Sequence, residues 1–174
     1  MRRRASPVAP PPRLCGLAPV VDARVRLVVL GSFPGAASLA AGQYYAHPRN
    51  HFWPVLSALW GTDLRVLPYP ERLEAMRSHG VGLWDVYAAC RREGSLDSDI
   101  AAAEPNDLGT LQRLAPRLAA VAHNGAESAR ARRATEALGV AVVRLPSTSP
   151  ANAAWSFERK LAAWRAAFAA HGLA

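Results

Sequence analysis

The hydrophobic positions of this chain fall into short apolar runs, separated by longer segments in which apolar residues recur at helical spacing. The first run, residues 27–30, is rich in Val and too short for a helix, so it predicts a buried strand over residues 26–31. The same pattern predicts three more strands, over residues 81–87, 118–123 and 140–145. Helical spacing predicts helices over residues 50–60, 69–79, 107–114, 126–138 and 155–171.

This alternation of strands and helices defines the expected fold. Short strands separated by helices predict a parallel sheet that is covered by helices on both faces. The predicted fold class is α/β, a three-layer αβα arrangement around a short, mainly four-stranded parallel sheet. Ligands of such folds lie beyond the carboxyl ends of the strands. The loops of interest are therefore residues 31–50, 87–99, 124–125 and 146–152.

The first of these loops carries the densest chemistry. It opens with Gly-Ser-Phe-Pro-Gly at residues 31–35, a turn that brings the backbone close to whatever lies above the sheet. Residues 43–53 then combine aromatic, amide, imidazole and guanidinium groups in the sequence QYYAHPRNHFW. A fold does not need this mixture for its stability, whereas a pocket for a flat heterocycle on a phosphate backbone does.

The length and composition of the chain fit one domain. The 174 residues, of which 51% are apolar, are enough for a sizeable core, and we expect a single domain over residues 20–174. No apolar run approaches the length that a bilayer requires. Residues 1–19 contain five of the 14 prolines and no acidic residue, so we expect them to form a disordered basic tail.

The net charge of +8 is shared between that tail and the domain. Four arginines lie in residues 1–13, which leaves 17 basic and 13 acidic residues, or +4, in residues 14–174. This mildly basic domain is compatible with a polyanionic partner. The two cysteines, Cys15 and Cys90, cannot form a four-thiolate metal site. Nothing in the sequence argues for a disulfide scaffold, so the expected compartment is a reducing cytoplasm.

Four motifs together resemble one known family. They are GSFPG after the first strand, QYYAHPRNHFW, GSLDS at residues 94–98, and LPSTSPAN after the last strand. This set resembles the uracil-DNA glycosylase superfamily over roughly residues 25–170. It looks most like the hypoxanthine (deoxyinosine) branch, and next most like the mismatch-specific uracil/thymine glycosylases.

The resemblance implies an enzyme that hydrolyses the N-glycosidic bond of a deaminated base in DNA during base excision repair. Hypoxanthine is the expected base. The alternatives are uracil opposite guanine, or a non-catalytic protein of the same fold that binds damaged DNA. The resemblance also implies a monomer that needs no cofactor, binds no membrane and associates with the nucleoid through DNA.

Two departures from the family pattern point to Asn50 as the catalytic residue. Many members carry a water-activating Asp or Asn in the first motif, where this chain has Phe33, and the classical uracil enzymes carry a His in the last motif, which this chain lacks. The resemblance then implies that Asn50 positions the attacking water. The alternative is that Asn50 caps the helix that follows it, with Pro54 in the first helical turn.

The resemblance also implies a set of base-binding residues. Tyr45 would stack on the flipped base, although Tyr44 is an alternative for that role. The backbone N–H groups of three residues would hold a carbonyl oxygen of the leaving base: Gly31, Ser32 and Phe33. Asp85 would accept a hydrogen bond from a ring N–H, or else would act as a cap or an ion-pair partner. Asn124 could contact the base too, but Asn-Gly is first of all a turn signal.

Contacts with the DNA backbone are expected from two loops. His47 and Arg49 follow the aromatic segment and could bind phosphate, or could be solvated surface groups. Ser147, Thr148 and Ser149 lie where relatives clamp the DNA strand, although a loop of this composition is also an ordinary turn.

The lysine content argues against strand cleavage. A glycosylase that also cuts the backbone needs a nucleophilic amine to form a Schiff base. The chain has one lysine, Lys160, which periodicity places on the last helix, away from the strand ends. The sequence therefore predicts a monofunctional enzyme that leaves an abasic site.

Overall fold

The computed structural model describes residues 10–174, which contain seven strands and six α-helices. The strands are β1 Arg13–Cys15, β2 Leu27–Gly31, β3 Val81–Asp85, β4 Tyr87–Arg91, β5 Ala101–Pro105, β6 Ala120–Asn124 and β7 Ala141–Leu145. The helices are α1 Ala36–Ala41, α2 Phe52–Trp60, α3 Tyr69–Ser78, α4 Leu111–Leu114, α5 Arg132–Glu136 and α6 Phe157–Ala169. No helix in this part of the chain is long and apolar enough to cross a membrane.

The central sheet is parallel and has the strand order β3-β2-β6-β7. Every residue of β2, β3 and β6 is buried, because helices or loops cover both faces. Such strands carry continuous apolar runs rather than an alternating pattern, and these runs allowed the sequence to predict them. The predicted α/β fold with its four-stranded parallel sheet is confirmed.

Two hydrophobic clusters fill the space above and below this sheet. Leu27 and Val29 of β2 face the cluster that includes α2, α3 and α6, whereas Val28 and Leu30 face the cluster that includes α4. The alternation along one strand thus supplies both cores, and the three layers follow from it.

A second, antiparallel sheet of order β1-β4-β5 was not predicted. The predicted strand over residues 81–87 is in fact divided at Val86, where the chain passes from β3 to β4 and so from one sheet to the other. All five residues of β5 are exposed, so this strand has no apolar pattern to reveal it.

The second sheet corrects the predicted boundary of the N-terminal tail. Arg13–Cys15 pairs with β4, and Val20 forms an isolated bridge with Leu83. Residues 10–19 therefore belong to the fold and are not a disordered tail. The rest of the predicted tail, residues 1–9, lies outside the described residues.

Several helices also differ from the prediction. The predicted helix over residues 126–138 is a 3-10 turn, Ser128–Ala131, followed by the short helix α5. The last helix begins at Phe157 because Ser156 caps it, so Trp155 lies in the preceding loop. Helix α1, between the Gly-Ser-Phe-Pro-Gly turn and the aromatic segment, was not predicted.

Candidate active site

One cleft of about 1000 Å³ lies at the carboxyl ends of the parallel strands. Parallel strands end on the same edge of a sheet, so loops that are distant in sequence meet there. All eleven predicted site residues line this cleft: Gly31, Ser32, Phe33, Tyr45, His47, Arg49, Asn50, Asp85, Ser147, Thr148 and Ser149.

The turn after β2 forms the floor of the cleft. Within residues 10–174, the backbone N–H groups of Ser32 and Phe33 donate to no protein acceptor, so both are available to a ligand. Phe33 as a whole is only 6% exposed, so its ring is part of the buried interior. The Ser32 hydroxyl donates to Asp97 Oδ1 at 2.6 Å, and this bond fixes the turn against the loop that follows β4.

The two adjacent tyrosines have different surroundings. Tyr44 is a core residue whose hydroxyl donates to the carbonyl oxygens of Leu17 and Ala18. Tyr45 has a left-handed backbone, with φ of 54°, and its half-buried ring stacks on Phe52 with 4.1 Å between the centroids. Phe52 thus holds the Tyr45 ring as a rigid part of the cleft wall.

Asp85, the last residue of β3, is a buried acid without a counterpart. Its side chain is 4% exposed, and its Oδ2 atom has no hydrogen-bond partner among the described residues. Burial, together with the nearby negative charge of Asp97, raises the pKa of this carboxyl group to about 7. An unpaired carboxyl group in the floor of a cleft is suited to bind a polar group of a ligand.

Asn124 braces the walls of the cleft. Its Nδ2 donates to the Tyr45 hydroxyl at 3.1 Å and to Thr148 Oγ1 at 2.9 Å, and its Oδ1 accepts from the Thr148 N–H at 3.0 Å. Both ends of the amide are therefore occupied by protein groups. Asn124 therefore positions the Tyr45 ring and the loop after β7, a role that the Asn-Gly turn signal did not indicate.

Asn50 lies at the entrance to α2 and is half-buried. Its Oδ1 accepts from the Phe52 N–H at 2.9 Å, an Asx-turn contact that leads into the helix, whereas the N-cap of α2 is His51, which has no side-chain capping bond. The same bond holds the amide in one orientation and leaves the second lone pair of Oδ1 available. In the described part of the chain Nδ2 donates no hydrogen bond, so the bond to the Phe52 N–H and a contact with a ligand are compatible.

The loop that contains Asn50 is joined to the loop after β7. The His51 N–H donates to the Thr148 carbonyl oxygen at 2.9 Å. Thr148 itself is fully buried and its hydroxyl accepts from Asn124, so this side chain holds the loop together and does not offer its hydroxyl to DNA. Ser147 and Ser149 remain partly exposed. Arg49, which lines the cleft from the first loop, is exposed.

Lys160 was expected away from the strand ends, and this expectation is wrong. Its side chain is 1% exposed, and Nζ donates to the Ser149 carbonyl oxygen at 3.5 Å, behind the loop that follows β7. Burial lowers the pKa of its amine. Lys160 does not line the cleft, so it supports the loop from the protein side.

Sequence reasoning missed several residues of the cleft. The loop between β4 and β5 contributes Ser95, Leu96 and Asp97, and the motif GSLDS that contains them was the available signal. Trp155 was assigned to the last helix but lies on the rim, 36% exposed, with the Arg159 guanidinium 4.4 Å from the centre of its ring. The capping residue Ser156 was the signal that the helix begins later.

A second groove of about 740 Å³ lies on the other side of Asn50, between α2 and Phe157. Its lining is mostly apolar, and it shares Arg49 and Asn50 with the cleft. We assign the site to the cleft because unpaired N–H groups, an amide and a buried carboxyl group converge there. Within residues 10–174, no three His, Cys, Asp or Glu side chains are grouped to hold a metal ion.

The fold and the cleft define an α/β protein with a cleft lined by polar groups at the carboxyl edge of a parallel sheet. The sequence model of the uracil DNA glycosylase superfamily matches residues 18–168. The chain therefore belongs to the uracil DNA glycosylase superfamily, as its motifs predicted.

Similar proteins agree with this assignment. The hypoxanthine DNA glycosylase of Methanosarcina barkeri is 39% identical over 153 residues, which are 88% of this chain and 96% of the relative. The hypoxanthine DNA glycosylase of Methanosarcina acetivorans is 34% identical, with the same coverage. A solution NMR structure from Methanosarcina acetivorans, provisionally described as a uracil DNA glycosylase, superimposes with a TM-score of 0.82. It is 33% identical and covers 90% of this chain and 96% of its own.

Proposed function

We propose that this protein is a monofunctional DNA glycosylase that removes hypoxanthine from DNA by hydrolysis. Two similar proteins that match 88% of the chain are hypoxanthine DNA glycosylases. The observation that carries the proposal is the pairing, in one cleft floor, of an unpartnered buried carboxyl group with free backbone N–H groups.

This pairing is complementary to a deaminated base. Hypoxanthine, xanthine and uracil each present a ring N–H beside a carbonyl oxygen. Asp85 is suited to accept from the N–H, while the N–H groups of Ser32 and Phe33 are suited to donate to the oxygen. Adenine presents the opposite pattern at the equivalent edge, a ring nitrogen acceptor beside an amino donor. It would leave the buried groups unpaired, and unpaired buried groups are costly.

The reaction replaces the bond between the sugar and the base with a bond between the sugar and water. As the glycosidic bond breaks, its electron pair moves to the base, whose carbonyl oxygen gains negative charge next to the Ser32 and Phe33 N–H groups. Asn50 positions the water through its free Oδ1 lone pair. The water oxygen bonds to the sugar carbon, and the proton that it loses balances the charge of the released base.

The flipped base is held by stacking and selected by the cost of extrusion. Stacking of a base on the Tyr45 ring contributes roughly 1–3 kcal/mol. Phe52 keeps that ring in place, so little ordering is needed when the base enters. Extrusion of a base costs a few kcal/mol and is least costly where pairing is already weak, which favours damaged pairs.

The surroundings of Lys160 support a monofunctional reaction. A Schiff base requires a neutral amine that reaches the sugar. Lys160 is the single lysine of the chain and its Nζ contacts a backbone carbonyl behind the last loop. The expected product is an abasic site in an intact strand.

The test is excision from labelled duplexes that contain one hypoxanthine, uracil or xanthine, read with and without hot alkali. Cleavage only after alkali is the expected result. The informative variant is Asn50→Ser, because a serine hydroxyl can still accept from the Phe52 N–H but cannot present an amide to water. Gln112→Ala, which removes an exposed amide remote from the cleft, is the matched control.

Each outcome has a distinct meaning. Loss of hypoxanthine excision in Asn50→Ser, with activity retained in Gln112→Ala, supports both the reaction and the role of Asn50. Excision of uracil alone would assign the enzyme to the uracil alternative. Tight binding to damaged duplex without excision of any base would establish the non-catalytic alternative.

A further inference from the structure

Arg92, which follows β4 directly, is a buried arginine with few hydrogen-bond partners. Its side chain is 1% exposed and is among the largest fully buried side chains of residues 10–174. Its Nη2 donates to the Pro34 carbonyl oxygen. Within the described residues, Nε and Nη1 are buried and have no hydrogen-bond partner.

Fold stability does not account for this arrangement. A buried guanidinium group loses its hydration, and that loss is offset only when a carboxylate and further hydrogen bonds surround it. Arg92 has one carbonyl partner and no carboxylate bonded to it in residues 10–174. A hydrophobic side chain of similar volume is often neutral or stabilising at such a position.

The location of the charge suggests its use. Arg92 lies under the turn that forms the floor of the cleft, with its guanidinium carbon 5.2 Å from the centre of the Phe33 ring. It is close enough to Asp85 and Asp97 to lower the pKa of each carboxyl group, against the larger effect of burial. The positive charge therefore acts on groups that line the cleft.

We propose that Arg92 is a positioning residue that holds the turn over residues 31–35 and supplies positive charge beneath it, opposite the negative charge that develops on the departing base. This inference rests on the proposed function. Arg92 does not line the cleft, so its charge acts through the turn and through the buried interior.

Two physical effects support this role. At a given distance, a Coulomb interaction is stronger in a protein interior than in water because the effective dielectric constant is lower, so a cation under the turn stabilises an anion above it. In addition, the Pro34 carbonyl oxygen accepts a hydrogen bond from the guanidinium group, and this charge-assisted bond fixes the turn that carries the Ser32 and Phe33 N–H groups.

Asp85 makes this charge necessary. Within residues 10–174, the charged or titratable groups that act on its carboxyl group are Asp97, Arg92 and the hydroxyls of Tyr44 and Tyr45. Of these groups only Arg92 is positive. A carboxylate beside a base that is becoming an anion would oppose the reaction, and the cation beneath the floor offsets that repulsion.

The test compares Arg92→Met and Arg92→Lys with wild type and with Arg91→Met. Methionine keeps an unbranched apolar stem and removes the charge, lysine keeps the charge, and Arg91 is the adjacent, less buried arginine of the same strand end. We expect Arg92→Met to lower the single-turnover rate for hypoxanthine by about tenfold to a hundredfold. The loss should be smaller for whichever excised base is the better leaving group, and Arg92→Lys should keep most of the rate.

Two further readouts separate this role from a purely structural one. Thermal unfolding of Arg92→Met should occur at the wild-type temperature or above it, since a poorly compensated buried charge has been removed. The pKa of the Asp85 carboxyl group, measured by NMR titration, should rise in Arg92→Met and stay near the wild-type value in Arg91→Met.

The contrary outcomes are equally clear. A rate loss that is the same for every base and parallels a fall in melting temperature would make Arg92 structural and overturn the proposal. If the wild type excises hypoxanthine and Arg92→Met does so at the same rate, this proposal alone is overturned. A wild-type protein that excises no base would overturn the proposed function and this inference with it.

Discussion

Gly31 and Asp85, paired across β2 and β3, are in such close contact that a side chain at residue 31 would displace the Asp85 carboxyl group. A Cβ atom at position 31 would lie 2.3 Å from Asp85 Oδ1 and 3.3 Å from the Tyr45 hydroxyl. The glycine thus allows a buried carboxyl group and a tyrosine ring to meet at one point of the cleft floor. Glycine is needed at position 31 because of this close approach and not because of a left-handed backbone angle.

Gly31→Ala should therefore displace Asp85 while the fold persists. We expect a loss of excision rate of at least about tenfold, together with roughly 1–3 kcal/mol of destabilisation from overpacking. Gly35→Ala is the matched control, since a Cβ there would make only ordinary contacts, at 3.5 Å to Ser95 Oγ. Single-turnover rates and thermal melts of the two variants give the comparison, and equal activity in both would show that Asp85 does not act where we assign it.

Asp85→Asn should gain stability and lose activity. Burial raises the pKa of Asp85 to about 7 in the folded state, above its ordinary value of 3.8, so the folded protein holds this proton more tightly than the unfolded chain does. The contribution of Asp85 to stability is then fully present below the ordinary pKa and is lost as the pH rises through the folded-state value. Above about pH 7 the wild type carries a buried charge that asparagine lacks.

Urea unfolding at two pH values measures this effect. At about pH 8, Asp85→Asn should be more stable than wild type by a few kcal/mol, since each pKa unit corresponds to about 1.4 kcal/mol. Near pH 4 the two proteins should be almost equally stable, because the wild-type group is then neutral in the folded state. A variant that is no more stable than wild type at the higher pH would mean that the carboxyl group is better solvated than its burial indicates.

The sequence predicted the parallel sheet and the site residues at its edge, but it did not predict the antiparallel sheet. The parallel strands were found because their apolar runs are continuous, and the predicted site residues converge because parallel strands end on one edge. The antiparallel sheet was missed because β5 reads Ala-Ala-Ala-Glu-Pro and is exposed throughout, while β1 follows a proline-rich segment.

The missed site residues follow from the missed sheet. Asp97 reaches Ser32 only because the β4–β5 hairpin returns the chain to the turn after β2, and no local pattern contains that information. Lys160 was predicted on the last helix, away from the strand ends, whereas its amine is buried against the loop after β7. Periodicity gives the face of a helix, but it does not give the loop that packs on that face.

A buried histidine supplies a second, opposite pH dependence. His123 is fully buried, with Nδ1 2.8 Å from Ser128 Oγ and Nε2 2.9 Å from Thr135 Oγ1. Burial, followed by the charge of Arg132, lowers its pKa to about 4. Between that value and the ordinary 6.5 the unfolded chain binds the proton and the folded protein does not, so stability falls as the pH is lowered.

The Asp85→Asn background isolates this effect, because Asp85 has the opposite slope over much of the same range. In that variant, we expect the free energy of unfolding to fall steadily between about pH 6.5 and pH 4.5. NMR titration of the His123 ring gives an independent value for its pKa. A ring that titrates near its ordinary value, with a flat stability profile, would contradict the prediction.

Two exposed apolar side chains on the rim of the cleft lead to a prediction about DNA. Leu96 is 52% exposed and Trp155 is 36% exposed, and they line the cleft from loops of different sheets. Aromatic rings stack on bases of any sequence, and apolar side chains at the rim of a cleft are suited to pack against the flat faces of bases. We therefore expect both side chains to contact the bases next to the extruded one, with Arg159 supporting the tryptophan ring.

Trp155→Ala should weaken binding to a damaged duplex by roughly tenfold, in keeping with the contribution of one stacked base, and Leu96→Ala should do so less strongly. Val66→Ala is the matched control, because Val66 is 77% exposed but does not line the cleft.

Fluorescence anisotropy with duplex and single-stranded DNA distinguishes the role of the rim. Contacts with neighbouring stacked bases should matter more in the duplex, where extrusion leaves a gap that the rim side chains can fill. Equal losses on both substrates would instead indicate that Trp155 stacks on the extruded strand itself, and unchanged binding in all three variants would exclude the rim from DNA recognition.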